Sequence, residues 1–152
     1  MRDRSAILGE ETFMNKGTYC LVMKLKQGRD IEIGLRPAIW FPPGYYCYVG
    51  SAMNSLSSRI KRHLSHQKRC HWHIDWFLRY AQVVGIKRIE SSARLECALS
   101  RRIALISKKT IMKGFGASDC ACETHLFYFK RNPDRDLDRI VKACQSLCGL
   151  LK

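Results

Sequence analysis

The chain has 152 residues and a formal net charge of +14, from 27 Lys and Arg against 13 Asp and Glu. At this length one domain can bury roughly two-thirds of its unfolded surface, so the fold does not need disulfides. No window reaches the ~20 apolar residues of a membrane span, and the first residues lack the apolar run of a signal peptide. We therefore expect a cytoplasmic protein without a membrane partner.

The first half of the chain reads as strands joined by turns. We interpret residues 1–15 as an N-terminal extension and residues 16–152 as one domain. Residues 17–25 are β-branched or apolar enough for a central strand, and a short alternating strand contains Ile31 and Ile33. After a turn at Pro42, Pro43 and Gly44, a third strand spans residues 45–50.

Helices dominate the second half. A helix capped by Ser51 or Asn54 is predicted to run to about Gln67, with an apolar stripe of Leu56, Ile60 and Leu64. The pattern then predicts a short helix in 71–81, a strand at 83–89, a helix at 92–107, a strand at 125–130 and a helix at 136–151. Because the early strands are joined without helical crossovers, we expect an α+β fold with a small, mainly antiparallel sheet flanked by helices.

A set of phenols, a guanidinium and an imidazole surrounds the third strand. Strand alternation places Tyr46 and Tyr48 on one face. Arg59 and His63 lie one turn apart on the following helix, on or beside its apolar stripe, and should point towards the sheet. A guanidinium there can bind a phosphate while phenols and an imidazole position a water, which is phosphodiester chemistry. Taken singly, each residue also suits ordinary packing.

The ordered set of motifs resembles the GIY-YIG nuclease superfamily over about residues 16–130. Gly17-Thr18-Tyr19 and Tyr48-Val49-Gly50 are similar to its two namesake tripeptides, although Thr18 replaces Ile and the segment between them is long enough for an extra strand pair. Leu56 and Arg59 match its leucine and essential arginine, and His63 and Glu96 match a histidine and a metal-binding glutamate. The phrases PGYYCYVGSA, HWHID, ECAL and GFGASDCAC resemble an uncharacterised group within it, sometimes fused to an endonuclease III type DNA glycosylase.

This resemblance implies catalytic roles and a cofactor. Tyr19 would be a general base or water-positioning phenol, Tyr48 would order the water or phosphate, and Arg59 would stabilise the transition state. His63 would assist proton transfer, and Glu96 would hold one divalent cation, Mg²⁺ or Mn²⁺.

The eight cysteines mostly stand in apolar patterns, as Cys20, Cys97 and Cys144 do, which favours buried thiols. The exceptions, Cys120 and Cys122, lie in a polar loop near His125. With Cys70, His71 and His73 this loop has the ligand types of a Zn²⁺ site. The C-x-C spacing argues against zinc, and we expect no such site.

Further polar residues are secondary site candidates. His71 and Asp75 lie one turn apart, so the carboxylate can orient the imidazole, whereas Arg102 lies near the centre of an apolar stripe and needs a partner. The full set of secondary candidates is His71, His73, Asp75, Arg102, Asp119 and His125. Ordinary caps and surface hydrogen bonds explain them equally well.

The net charge predicts a polyanion as the partner, against the alternative of a generally basic, soluble surface. Candidate nucleic-acid-binding residues are Lys61, Arg62, Lys68, Arg69, Lys108, Lys109 and Lys113. We expect a metal-dependent endonuclease acting on DNA, with RNA left open, acting in repair and in association with a DNA glycosylase. The alternative is a nucleic-acid-binding module that keeps the fold without turnover.

Overall fold

A computed structural model of the protein describes residues 14–107 and 109–151. Most of the predicted N-terminal extension, residues 1–13, and the candidate Lys108 lie outside the described residues. The elements in chain order are β1 (Gly17–Leu25), β2 (Arg29–Ile31), β3 (Ile39–Phe41), β4 (Gly44–Ala52), α1 (Leu56–Leu64), α2 (His73–Phe77), β5 (Gln82–Glu90), α3 (Glu96–Ala104), β6 (Leu126–Phe129) and α4 (Asp134–Leu151).

The main sheet has four strands in the order β5-β1-β4-β6, and every neighbouring pair is antiparallel. The prediction of an α+β fold with a small antiparallel sheet flanked by helices is confirmed. The insertion between the two tyrosine motifs forms the separate two-stranded sheet β2-β3, in which Arg29 pairs with Phe41. An extra strand pair was expected in this segment.

The two faces of the sheet belong to two cores. Tyr46 and Tyr48 share one face with Tyr19, and this face is covered by α1 and α2. The opposite face carries Cys47 and Val49 and packs against α3 and α4. The predicted alternation of β4 is therefore correct, and it separates the phenols from the buried thiols.

A close approach between β1 and β4 fixes the first phenol. Tyr19 pairs with Gly50, and a Cβ added at Gly50 would lie 2.5 Å from the Tyr19 hydroxyl oxygen. The phenol therefore lies across the glycine, in space that any side chain would occupy. The same register places Leu21 opposite Tyr48.

Three local predictions about the helices were wrong. The side chain that caps α1 is Ser55, which accepts a hydrogen bond from the Ser58 N–H, because Ser51 is still in β4. Leu64 is 47% exposed, and His63 takes its place on the buried face. The helix predicted over residues 92–107 is shorter, α3, since a bend precedes it.

Among the described residues, none of the helices combines the length and the apolar character needed to cross a membrane.

Candidate active site

Tyr19 and His63 form a buried hydrogen-bonded pair. The Tyr19 hydroxyl oxygen lies 2.6 Å from Nε2 of His63, and the two side chains are only 1% and 3% exposed. The ring of Tyr48 lies 6.4 Å from that of Tyr19 and 6.1 Å from that of His63, measured between centroids. Nδ1 of His63 is buried and has no hydrogen-bond partner among the described residues. The three rings thus form one compact group.

Burial keeps this group neutral. It raises the pKa of Tyr19 far above its ordinary value, against the opposing charge and hydrogen bond of Arg59. Burial, with the charges of Tyr19 and Glu96, likewise raises the pKa of Tyr48. Burial lowers the pKa of His63 to about 4, so at neutral pH its imidazole is uncharged.

Arg59 is held at the rim of this group. Its Nη1 donates a hydrogen bond to the Ser51 carbonyl oxygen at 2.9 Å, and its guanidinium carbon lies 4.3 Å from the centroid of the Trp72 ring. The guanidinium of Arg62 contacts the same ring at 4.4 Å. The contacts of Arg59 with the described residues, namely Trp72, the Ser51 carbonyl and Tyr19, use fewer than its five N–H donors, so this side chain can still bind an oxyanion.

Glu96 is hydrogen-bonded to Ser51, the residue whose carbonyl oxygen accepts from Arg59. Ser51 Oγ donates to Glu96 Oε1 at 2.7 Å, so one residue joins the carboxylate and Arg59. The Glu96 side chain is 26% exposed, and its charge acts on both Tyr19 and Tyr48. The structure therefore brings together all five residues predicted as catalytic, namely Tyr19, Tyr48, Arg59, His63 and Glu96.

Asp75 has a different partner from the one predicted. Its buried carboxylate forms a bidentate ion pair with Arg62, with both N–O distances 3.0 Å. It also accepts hydrogen bonds from the backbone N–H groups of His71 and Trp72. Burial alone would raise the pKa of Asp75, but these hydrogen bonds outweigh burial and lower it. The idea that Asp75 orients the His71 imidazole is wrong, because α2 begins only at His73. Arg62, proposed for nucleic acid, is occupied by this ion pair.

The remaining secondary candidates are dispersed. His73 Nδ1 accepts the Gly116 N–H at 2.9 Å and so anchors a loop. Asp119 is exposed, and its charge reaches His125. Arg102 is also exposed, so its predicted place in an apolar stripe is wrong. The buried face of α3 consists of Leu99, Ser100 and Ile103.

The cofactor prediction is corrected by a cluster at the N-terminus of α3. The side chains of Cys97, Cys120, Cys122 and His125 have ligand atoms that all lie within 4.8 Å of one another. Thiolates and imidazole suit Zn²⁺, whereas Mg²⁺ and Mn²⁺ prefer oxygen ligands. The prediction of Mg²⁺ or Mn²⁺, with zinc rejected, is therefore wrong.

The sequence reasoning missed this cluster for two reasons. It counted Cys97 among the buried thiols of an apolar pattern, although Cys97 is only half-buried. It also paired the 120–125 loop with Cys70, His71 and His73, which are not part of the cluster. The signal that could have found it is C-x-C-x₂-H preceded by a cysteine at a helix start. Cys20, Cys47 and Cys144 are buried thiols, as expected.

A basic groove of about 1190 Å³ adjoins the phenol group, since His63 contributes to its lining. The cationic residues that line it are Lys24, Lys26, Arg29, Lys68 and Arg79, of which only Lys68 was predicted. Within the described part of the chain, Asp75 is the one carboxylate that lines the groove, and it forms an ion pair with Arg62. The Lys68 ammonium donates to the His63 and Ser65 carbonyls at the end of α1. The predicted Lys61, Arg69, Lys109 and Lys113 are exposed outside the groove.

Comparison with known proteins identifies a family. No curated protein and no solved structure matches the chain. The family profile described as "Domain of unknown function DUF123" matches residues 18–147, from the second residue of β1 into α4. That span includes the phenol group, the basic groove and the cysteine cluster. The chain therefore belongs to the DUF123 family.

Proposed function

We propose that this protein is a GIY-YIG-type endonuclease that hydrolyses phosphodiester bonds in DNA. The observation that carries the proposal is the hydrogen bond between Tyr19 and His63, with the Arg59 guanidinium beside Tyr19. The resemblance of the two tripeptides to the GIY-YIG nuclease motifs supports it. A role in repair, in association with a DNA glycosylase, is part of the same proposal.

The Tyr19–His63 pair is suited to move a proton away from an attacking water. The pKa of Tyr19 is raised by burial, so its phenolate does not form unaided at neutral pH. In the tautomer with Nε2 unprotonated, His63 can take the phenol proton as the phenol takes one from water. The new hydroxide then attacks phosphorus, the P–O bond to the leaving sugar oxygen breaks, and a solvent water protonates that oxygen. The imidazolium of His63 returns its proton to solvent to complete the cycle.

Arg59 supplies the charge that this step needs. Its guanidinium faces the phenols and keeps free donors, so it can bind the non-bridging phosphate oxygens as negative charge accumulates. A bound phosphate anion would also offset the cationic charges of Arg59, Arg62 and Lys68, which lower the pKa of His63. Substrate binding would therefore make His63 a stronger base when it is needed.

The basic groove supports a nucleic acid as the substrate. Among the described residues, five Lys and Arg side chains line it, and the one carboxylate there is already paired with Arg62, which favours a phosphate backbone. The groove includes His63, so a strand bound in it passes close to the proposed proton acceptor.

The test is a nicking assay on supercoiled plasmid, branched DNA, damaged DNA and RNA, run with and without added divalent cations so that no cofactor is assumed. We expect cleavage by the wild type and a loss of roughly 10²–10³ in rate for Arg59→Ala. Arg102→Ala is the matched control, because Arg102 is exposed on α3. Arg59→Ala protein that nicks DNA at the wild-type rate would overturn the proposal.

A second candidate function is nucleic-acid binding without turnover. The observation that favours it is the near-complete burial of Tyr19, Tyr48 and His63, which are 1%, 8% and 3% exposed. Side chains this buried also serve as core. Wild-type protein that binds DNA in a salt-dependent way but cleaves none of the four substrates would support this function over the first.

A further inference from the structure

We propose that Cys97, Cys120, Cys122 and His125 bind one Zn²⁺ ion in a closed Cys₃His centre that fixes the start of α3 against the 117–125 loop. The ligands come from two segments, one residue from α3 and three from the loop before β6. A metal bound there would cross-link two parts of the chain that are more than twenty residues apart.

The geometry fits a tetrahedral ion. Zn–S and Zn–N distances of about 2.3 and 2.0 Å require ligand atoms roughly 3.5–3.8 Å apart. The four ligand atoms lie within 4.8 Å of one another, and His125 Nε2 lies 3.1 Å from Cys120 Sγ. Small side-chain rotations therefore bring all four to zinc distance.

The surroundings already orient the histidine. Nδ1 of the fully buried His125 is hydrogen-bonded to Ser100 Oγ at 2.6 Å, which directs Nε2 to the cysteines. Zinc-bound histidines commonly use their second nitrogen in this way. The positive charge of Arg101 acts on Cys122, so it can offset the negative charge of three thiolates.

An access route is present. Cys122 lines a surface pocket of about 310 Å³, together with Ser100, Arg101 and Thr124. The pocket therefore opens one of the four ligands to the surface. Among the available metals, three thiolates and one imidazole in a redox-inactive tetrahedral arrangement favour Zn²⁺.

The centre would also position the proposed active site, an inference that rests on the proposed function. The His125 carbonyl oxygen accepts the Val49 N–H at 3.0 Å, in the middle of the second tripeptide. Glu96 precedes Cys97, hydrogen-bonds to Ser51, and has a carboxylate oxygen 3.6 Å from His125 Nε2. The metal would thus act on Tyr48 and Glu96 through their neighbours, as a positioning element outside the reaction.

The test is metal analysis of the purified full chain. We expect about one zinc per chain in the wild type and loss of that zinc in Cys97→Ser and Cys122→Ser. Cys70→Ser is the matched control, because Cys70 is half-buried outside the cluster. For variants that do not fold, wild-type protein is loaded with Co²⁺, whose absorption spectrum reports tetrahedral geometry and thiolate ligands.

Each outcome is decisive. Stoichiometric zinc lost only from the cluster variants, or a tetrahedral thiolate spectrum from Co²⁺, supports the centre. Wild-type protein that neither retains zinc nor binds added Zn²⁺ or Co²⁺ overturns it, as does a disulfide between two cluster cysteines in protein isolated under reducing conditions. Since metal content is measured without DNA, this result does not depend on the nicking assay.

Discussion

The hydroxyl oxygen of Tyr19 lies 2.6 Å from Nε2 of His63, although the two residues are 44 positions apart in the chain. The contact requires the phenol to lie across Gly50 of the neighbouring strand and α1 to turn His63 inwards. One hydrogen bond therefore explains why a glycine ends the second tripeptide and why a histidine occupies a buried helix position.

Replacing Gly50 tests this arrangement. Because a Cβ at Gly50 would lie 2.5 Å from the Tyr19 oxygen, Gly50→Ala should displace the phenol and cost about 1–3 kcal/mol of unfolding free energy. Urea unfolding measures the loss. Most of it should disappear in a Tyr19→Leu background, where the phenol is gone.

Gly85→Ala is the control for the alanine prediction. Gly85 lies on β5, on the other side of β1 from Gly50, and the nearest atom to an added Cβ is 3.5 Å away, which is ordinary contact. This substitution should be neutral or slightly stabilising. Equal losses at Gly50 and Gly85 would show that the sheet tolerates no alanine and that the phenol is not the cause.

The buried His63 makes stability depend on pH. Its pKa is lowered from 6.5 to about 4 in the folded protein, so the unfolded chain binds a proton first as pH falls. The stability that the neutral imidazole contributes is complete above pH 6.5 and declines towards pH 4, by at most about 3 kcal/mol. The charged groups that act on it are Asp75, Arg59, Arg62 and Lys68.

Urea unfolding from pH 7 to pH 4 checks this dependence. His63→Gln should make the decline between pH 6.5 and 4 less steep and leave the part due to His73 and His125, whose pKa values burial also lowers. The exposed-site control His66→Gln should keep the wild-type slope. Asp75 has a lowered pKa, so its ion pair with Arg62 adds a separate loss only as pH falls below its ordinary value of 3.8. An identical decline in His63→Gln and wild-type protein would argue against a neutral buried imidazole.

Strands whose two faces are both buried were predicted closely from the sequence. Residues 17–25 were predicted as a strand and form β1 with the same bounds, because a short stretch of mostly β-branched and apolar residues that ends at a turn favours a strand. Helix ends were less predictable. Ser51 looked like a cap, but it is held in β4 by strand pairing and by its bond to Glu96, neither of which is local in sequence.

The cysteine cluster and the basic groove are formed by residues that are distant in the sequence, so they could not be predicted from it. Cys97 is separated from Cys120 by a helix and a loop, and only tertiary packing brings their sulfur atoms within 4.8 Å. Lys24 and Arg79 come from different parts of the chain and meet in one groove. Spacing rules detect ligands and cations that are neighbours in sequence, so they missed both features.

The substitution Glu96→Gln distinguishes an effect on DNA cleavage from an effect on DNA binding. Glu96→Gln keeps the shape and the contact with Ser51 but removes a charge that faces Tyr19 and Tyr48. Because Ser51 joins Glu96 to Arg59, the weaker hydrogen bond from Ser51 to a neutral amide should loosen the position of Arg59. We therefore expect nicking to fall, with binding to uncut DNA unchanged or tighter because one repulsive carboxylate is gone. Glu32→Gln, at an exposed position, is the control. Nicking by Glu96→Gln at the parent rate would remove Glu96 from the proposed site.

The basic groove predicts how DNA affinity responds to salt. We expect a duplex to lie against the groove cations Lys24, Lys26, Arg29 and Arg79. The logarithm of the affinity should then fall linearly with the logarithm of the salt concentration, with a slope of about −0.9 for each phosphate contact. Lys24→Gln and Arg79→Gln should each weaken binding and reduce the slope by about one. Fluorescence anisotropy on a labelled duplex from low to moderate salt measures both quantities.

Arg131→Gln, an exposed cation outside the groove, should leave the slope unchanged, because it removes the same charge from the molecule without removing a contact. Equal effects from all three substitutions would mean that binding follows net charge alone, and an affinity independent of salt would leave the charge of +14 without a nucleic-acid partner.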